Sequence, residues 1–465
     1  MATTTPPTRT RPRRTPSRGR AKAAPAPAAA EAARQDGGAR IRDVSFTTLL
    51  DPFAARHAEH MPRLHGDWRL VEICRVTLES GVTGVGETIL QYTWGRVPSG
   101  AADRVRGKNV FECLWDDSLG CGLQMAIWDA AGKQAGVPCH ALFGRQVRDA
   151  VPISWWCLDF TAEEWMEEAR LAIKLGYTSL KLKGRPWRDV LGQVEALSGA
   201  LPRSVLIDLD FNSSLVNAAT AVPYLRELER FPNVAIIETP IPQGDVAGNK
   251  QIREQTRLPI AMHFGSPPIM TALQEDVCDG FVIGGGAAAL MRQTTLAAAA
   301  NKPFWLQLVG TGLTTAWTAH VGAVATHAQW PAITCMHIWQ DDLIVEPIQI
   351  SGGYARVPQG PGLGVALDEA AVERLRLPDP NALPVRPRRL YTITWPASRA
   401  DGRRAAVVPA GKATIAGFEQ DLFREFDLGN LPRFARGITL TQRDDDGSEA
   451  FGRAFAAASG RSVRE

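Results

Sequence analysis

Residues Ser179–Trp187 read SLKLKGRPW, a short alternation of leucine and lysine closed by glycine, arginine and proline. With a side-chain period of two, Lys181 and Lys183 share one face of a strand while Leu180 and Leu182 take the other. On a sheet with one wet face the lysines are ordinary solvent contacts. In a barrel whose outside is covered by helices they point inward. What repeats on either side decides between the two.

Apolar strand-like runs end near Trp156, Lys183, Asp210, Glu238, His263, Gly284, Gln307 and His337, at intervals of 21 to 30 residues. Each interval has room for one helix and two loops. Helical patterns lie between the runs, among them AEEWMEEARLAIKLG from Ala162 and GLTTAWTAHVGAVAT from Gly312. Eight strands alternating with helices predict a (β/α) barrel, in which catalytic groups gather at the C-terminal strand ends. Lys181 and Lys183 then stand inside the barrel near its mouth, about 6.6 Å apart by two steps of strand rise. Each positive charge disfavours the other, and a lysine with a depressed pKa is a general base.

Acidic residues fall at the same level. VLIDLDFNSS ends the third strand with Asp210 and Asn212, and VAIIETPIP ends the fourth with Glu238. Carboxylates on adjacent strand ends are hard ligands suited to Mg²⁺, which binds one or two carboxylates, waters and substrate. The plainer alternatives are an N-cap or Asx-turn for Asp210 and a charge fixed by a neighbouring lysine for Glu238.

The rest of the chain frames this site. Its 465 residues, 45% hydrophobic and 22% charged, suffice for more than one domain. Seven scattered cysteines without a Cys-x-x-Cys pair argue against a zinc or redox motif. No apolar run has the length of a membrane span and no secretory core precedes the fold, so a cytoplasmic protein is expected. The net charge of +3 comes from residues 1–40, which hold nine Arg and Lys against Glu31 and Asp36. This Pro-, Ala- and Arg-rich segment predicts a disordered basic tail, with no clear nucleic-acid or membrane partner. From Ala39 two strand-like runs flank DPFAARHAEHMPRLHGD, whose length and His57, His60 and His65 make it a candidate lid. CGLQMAIWDAAGKQAG, from Cys121, has the spacing of a helix ended by glycine.

The pieces GVTGVGET, AIWDAAGKQAGVP, LFGRQVRDAVP, LGYTSLKLKG, DFN, IIETPIP, LPIAMH and PGLGVALDE, in that order from about 41 to 372, resemble the enolase superfamily in its mandelate racemase and muconate lactonizing branch. The resemblance implies an α/β protein with a modified (β/α)₇β TIM-like barrel and an α+β capping domain. Expected divisions are the tail 1–40, a capping domain 41–150, the barrel 151–349, a return segment 350–378 and an extension 379–465 of unassigned role. It further implies a divalent metal holding a substrate carboxylate, a base that removes the α-proton, and an enediolate stabilised by the metal. By this resemblance Lys183 is the base, Lys181 the neighbour that lowers its pKa, and Asp210 and Glu238 two metal ligands.

Two departures from the family pattern matter. Where relatives usually end the fifth strand with glutamate, PIAMHFG has Phe264, preceded by His263. His263 is either the third ligand, in which case Mn²⁺ or another softer metal suits it better than Mg²⁺, or a non-ligand beside the site. Strands six and seven, GFVIGGGAAA and PFWLQLVG, carry no acid or base for the opposite face of the substrate, and Gln307 stands where a histidine is often found. A two-base racemase is therefore disfavoured. Dehydration of an acid sugar (aldonate or aldarate) fits better, with His263, His337 or Tyr92 as general acid and Tyr92, Asn212 and Gln307 as substrate contacts. An epimerase or cycloisomerase is the enzymatic alternative, and a non-catalytic carboxylate binder the alternative of another kind. The expected partner is a small-molecule carboxylate, and the expected assembly a homo-oligomer.

Overall fold

The computed structural model describes residues 38–92, 95–380, 383–399 and 407–464. Most of the basic tail expected at 1–40 lies outside the described residues, as does Asp401-Gly402, which the sequence RRLYTITWPASRADGRRAAVVP predicts as the turn of a hairpin.

Three antiparallel strands, β1 (Ile41–Leu50), β2 (Leu70–Leu78) and β3 (Thr83–Ile89), form a meander in that order. The helix Cys121–Ala135 crosses it. The approach is close because Gly84 and Gly86 carry no side chain: a Cβ at either would stand 2.2 or 2.3 Å from a carbonyl oxygen of that helix. Glu87, buried on β3, reaches out of the meander to accept hydrogen bonds from the backbone N–H groups of Thr311 and Thr314 (2.8 Å each). It thereby caps the helix Gly312–Val324.

After the short β4 (Ala150–Pro152) comes a parallel seven-stranded sheet: β5 (Trp155–Cys157), β6 (Ser179–Lys183), β7 (Leu206–Asp210), β8 (Val234–Glu238), β9 (Ile260–His263), β10 (Gly280–Ile283) and β11 (Phe304–Leu306). Helices connect them, and their starts are written locally. Thr161 and Glu164 form a reciprocal capping box at Ala162–Lys174, while Asp189 and Asn217 cap the two helices that follow. Closure differs from the expectation of an eighth strand ending near His337. Only single bridges, Gln307 to Ile333 and Ile153 to Ala332, join β11 back to the first strand. His337 lies beyond, in the 3₁₀ turn Met336–Ile338. The fold is α/β, a modified TIM-like barrel whose eighth member is reduced to two residues. The PGLG segment then runs onto the helix Cys121–Ala135, where Leu363 N–H donates to Asp129 Oδ1 (2.7 Å).

The C-terminal residues make a structured unit. Ahead of it the hairpin of β12 (Ile350–Ser351) and β13 (Tyr354–Arg356) pairs through β13 with β4. Strands β14 (Arg389–Trp395), β17 (Gly411–Ala416), β18 (Thr439–Asp444) and β19 (Val463–Arg464) pair antiparallel in the order β18-β14-β17-β19. Between β16 (Val407–Val408) and β14 lies β15 (Ser398–Arg399), and β15 pairs with β16. The core of this unit contains Tyr391, Ile393, Phe426 and, from the barrel, Trp187. SLKLKGRPW therefore belongs to two bodies at once: its lysines line the barrel and its tryptophan plugs the C-terminal sheet.

DPFAARHAEHMPRLHGD is pinned among these bodies. Ala54 N–H donates to Ile338 O (2.9 Å), Arg56 pairs with Glu168 (2.8 Å), and Gln442 and Arg389 both donate to Glu59 O. Its Arg63 meets Arg188 and the Trp187 indole on Asp159, a fully buried carboxylate at the end of β5, at 2.8, 3.2 and 2.6 Å. Burial alone pushes the Asp159 pKa up, but the two guanidiniums more than reverse this and hold it at about 2 against an ordinary 3.8. The folded-state pKa lies below the unfolded one, so this clasp contributes its full stability above pH 4 and loses it as pH falls toward 2. A urea titration should show about 2 kcal/mol more acid sensitivity from this site between pH 5 and pH 2 in the wild type than in Asp159→Asn. Identical pH dependence in the two proteins would contradict the assignment.

Candidate active site

The inward side chains of the barrel stack in layers, because every second residue of each strand faces in. Lowest is a polar ladder: Ser154 Oγ lies 2.9 Å from Ser179 Oγ, which donates to Asp208 Oδ2 (3.2 Å). Above it Lys181, 1% exposed, places its ammonium 4.0 Å from the centre of the Trp305 ring and donates to Glu238 Oε2. At the mouth Lys183 donates to Asp210 Oδ2 and to Asn212 Oδ1 (3.2 Å). Lys181 and Lys183 are therefore not a wet face. Their mutual repulsion, expected from spacing alone, is offset by a carboxylate on each, and the four groups alternate in sign.

Glu238 is the electrostatic centre. Burial raises its pKa, yet Lys181 and then His263 draw it well below the ordinary carboxylate range. His263 Nε2 lies 3.0 Å from Glu238 Oε1, close enough for an ion pair but not aligned for a hydrogen bond, so Oε1 is a buried oxygen without a hydrogen-bond partner. Burial lowers the His263 imidazole, and Glu238, with Asp210 behind it, more than compensates, so the pKa is raised although the side chain is 43% exposed. Asp208, in the layer below, is pushed up to about 6, chiefly by burial and against the pull of Lys181.

The backbone turns sharply where these groups emerge. Asn212 and Ser213 after β7, and Thr239 after Glu238, have φ of 43°, 69° and 46°. A β-branched residue there is strained. The turns are held by Ser213 N–H to Thr239 O (2.8 Å) and by Asn212 N–H to Asp210 Oδ1 (2.8 Å).

The structure brings together Lys181, Lys183, Asp210, Asn212, Glu238 and His263. It takes His337 elsewhere: Nε2 is hydrogen-bonded to Trp156 O (2.8 Å), the ring stacks on Trp155 at 3.6 Å, and burial with His57 alongside drives its pKa down to about 3. A neutral ring so held does not serve as general acid. Tyr92 stands edge-on to Trp68 (4.3 Å), and Trp68 in turn lies 5.9 Å from Trp156, which shares the register of Lys181. Gln307 follows the inward Trp305 by two positions. On β10 and β11 the inward positions are Gly280, Val282, Gly284, Trp305 and Gln307, with no ionisable group among them. His57 and His60 are buried against Glu168 and Glu164, at 3.6 and 2.9 Å, away from the lysines.

A hard cation fits the donor chemistry of Asp210 and Glu238, and Glu238 Oε1, which accepts no hydrogen bond and has the His263 ring beside it, is an oxygen open to such a ligand. Among the described carboxylates, His263 comes within ion-pair distance of Glu238 and not of Asp210. The one three-donor group of tight spacing among the described residues, Glu59, His60 and Glu164, lies instead where the segment after β1 meets the helix Ala162–Lys174.

Asp208 and Trp305 were missed by sequence reasoning, although the period of two that selects Asp210 also selects Asp208. Arg185 was also missed, and no local signal marks it: its partner Glu419 is 234 residues away.

Residues 164–371 match the family described as Enolase C-terminal domain-like. The chain is 25% identical over 308 residues to the D-gluconate dehydratase of Thermoproteus tenax, a match covering 59% of each protein. It is also 25% identical over 268 residues to muconate cycloisomerase 1-2 of Acinetobacter lwoffii, covering 55% of this chain and 69% of that one. Among solved structures it resembles the muconate lactonizing enzyme of Pseudomonas fluorescens complexed with muconolactone, with a TM-score of 0.63 at 21% identity, over 73% of this chain and all of that one.

Glu238→Gln strands the Lys181 ammonium in the barrel and is expected to lower stability by about 3 kcal/mol in urea unfolding. Lys181→Met combined with Glu238→Gln should recover most of that loss, because the isolated charge is gone. A double variant as unstable as the single one would refute the pairing.

Proposed function

Since the chain belongs to the enolase superfamily, in its mandelate racemase and muconate lactonizing branch, we propose that it abstracts the α-proton of a small hydroxy-carboxylate and eliminates the β-hydroxyl, most readily from an aldonate or aldarate. One observation carries this reading. Lys183, Asp210 and Glu238 share the barrel mouth, while the inward positions of β10 and β11 offer nothing that can exchange a proton on the opposite face. One-sided elimination needs only what is present.

Asp210 and Glu238 are the residues to hold a divalent cation, Mg²⁺ or Mn²⁺. When bound, the cation supplies Lewis-acid stabilisation of charge developing on the substrate carboxylate. Lys183 acts as base once its ammonium has left Asp210 and shed its proton, with Asn212 Oδ1 steering the amine toward the substrate. Lys181, enclosed by Glu238 and Trp305, keeps the Glu238 carboxylate ionised and oriented. His263, half-exposed beside Glu238, is the member of the site placed to protonate the departing hydroxyl.

Cycloisomerisation is a second reading, favoured by the aromatic wall of Trp68, Tyr92 and Trp156, which suits an unsaturated acid better than a polyol. The two readings separate by product. Incubation with Mg²⁺ or Mn²⁺ and an acid-sugar library is expected to give a 2-keto-3-deoxy acid, detected as its semicarbazone, whereas a cycloisomerase gives a lactone. Lys183→Ala should reduce turnover on the order of 10³-fold without loss of fold. Neither product from any acid would point to a carboxylate-binding protein without turnover, and near-wild-type turnover in Lys183→Ala would defeat the mechanism.

A further inference from the structure

A buried guanidinium beside the site is paired with a carboxylate from the C-terminal unit. Arg185, two positions after Lys183 and 3% exposed, donates through Nε to Glu419 Oε1 (2.5 Å) and through Nη1 to Asn212 Oδ1 (2.8 Å). Its guanidinium lies 5.3 Å from the Phe423 ring. The same Asn212 oxygen accepts from Lys183 (3.2 Å), and the Asn212 N–H donates to Asp210 Oδ1 (2.8 Å). Glu419, 8% exposed, is the first residue of the helix Glu419–Asp427 in the C-terminal unit.

A guanidinium this deeply buried requires a carboxylate. After Glu419, the charges acting on Arg185 are Asp159 and Asp210. Asp159 already serves Arg63, Arg188 and the Trp187 indole. Asp210 is the neighbour that remains, and it belongs to the site.

We propose that Glu419 is a positioning residue of the active site: it holds Arg185 against Asn212 and so keeps the guanidinium off Asp210, leaving that carboxylate to Lys183 and to a divalent cation. The C-terminal unit is then part of the catalytic apparatus rather than an appendage. This rests on the reading of Asp210 as a cation ligand.

The test is made on the full chain, by calorimetric titration with Mn²⁺ and by crystallography. Glu419→Gln should turn Arg185 onto Asp210 and weaken Mn²⁺ binding at least tenfold, whereas Glu419→Asp, with the charge kept on a shorter arm, should lose less. Arg185→Met removes the competing guanidinium and should bind Mn²⁺ at least as tightly as wild type. It decides the matter even if Glu419→Gln fails to fold, because weakened binding in Arg185→Met would show that packing, not the guanidinium, controls the site. In a folded Glu419→Gln, Arg185 still seated on Asn212 with Mn²⁺ affinity within twofold of wild type overturns the proposal. A wild-type protein that takes up no Mn²⁺ overturns instead the reading of Asp210 as ligand, and the position of Arg185 in the variant crystal then decides the role of Glu419.

Discussion

Two ammonium groups inside a barrel must be neutralised, Lys181 where water does not reach it and Lys183 at the partly exposed mouth, and the arrangement of charges at that end follows from the need. Burial of an unpaired charge costs several kcal/mol, more than most single contacts return. The chain meets the constraint by alternation: Lys181 on Glu238 and Lys183 on Asp210, with His263 beyond Glu238 and Arg185 beyond Asn212. The parallel register of β6, β7 and β8 sets this order by pairing Lys183 with Asp210 and Asp210 with Glu238.

The same register explains what the sequence reveals. Strand period and strand spacing are local properties, so Lys181, Lys183, Asp210 and Glu238 can be placed at one end of a barrel from the chain alone. His337 could not be, since its placement assumed a full eighth strand and that strand is reduced to bridges at Ala332 and Ile333. The histidines of the segment after β1 suggested a lid over the substrate, but two of them are spent on Glu164 and Glu168. Contacts between remote segments leave no periodic trace. Arg185 with Glu419, and Arg63 with Asp159, are visible only once the chain is folded.

Around the charged centre the fold places three bodies on one short loop. Gly184 to Trp187 leaves the barrel mouth, gives Arg185 to Glu419, and inserts Trp187 into the C-terminal core while its indole N–H closes on Asp159. Arg63, from the segment after β1, ends on the same carboxylate. The loop that follows Lys183 is thus held from two sides, which restrains Lys183 and Asn212, as their proposed roles as base and steering group require.

In the proposed site Asp210 and Glu238, each neutralised by a lysine, are the carboxylates that would hold a divalent cation. Anomalous diffraction from crystals soaked in Mn²⁺ and a hydroxy acid tests it most directly. The account predicts a peak between Asp210 and Glu238, with Lys183 withdrawn from Asp210 and turned toward the α-carbon of the acid. Crystals that show no peak there, with both lysines still seated on their carboxylates, would contradict it.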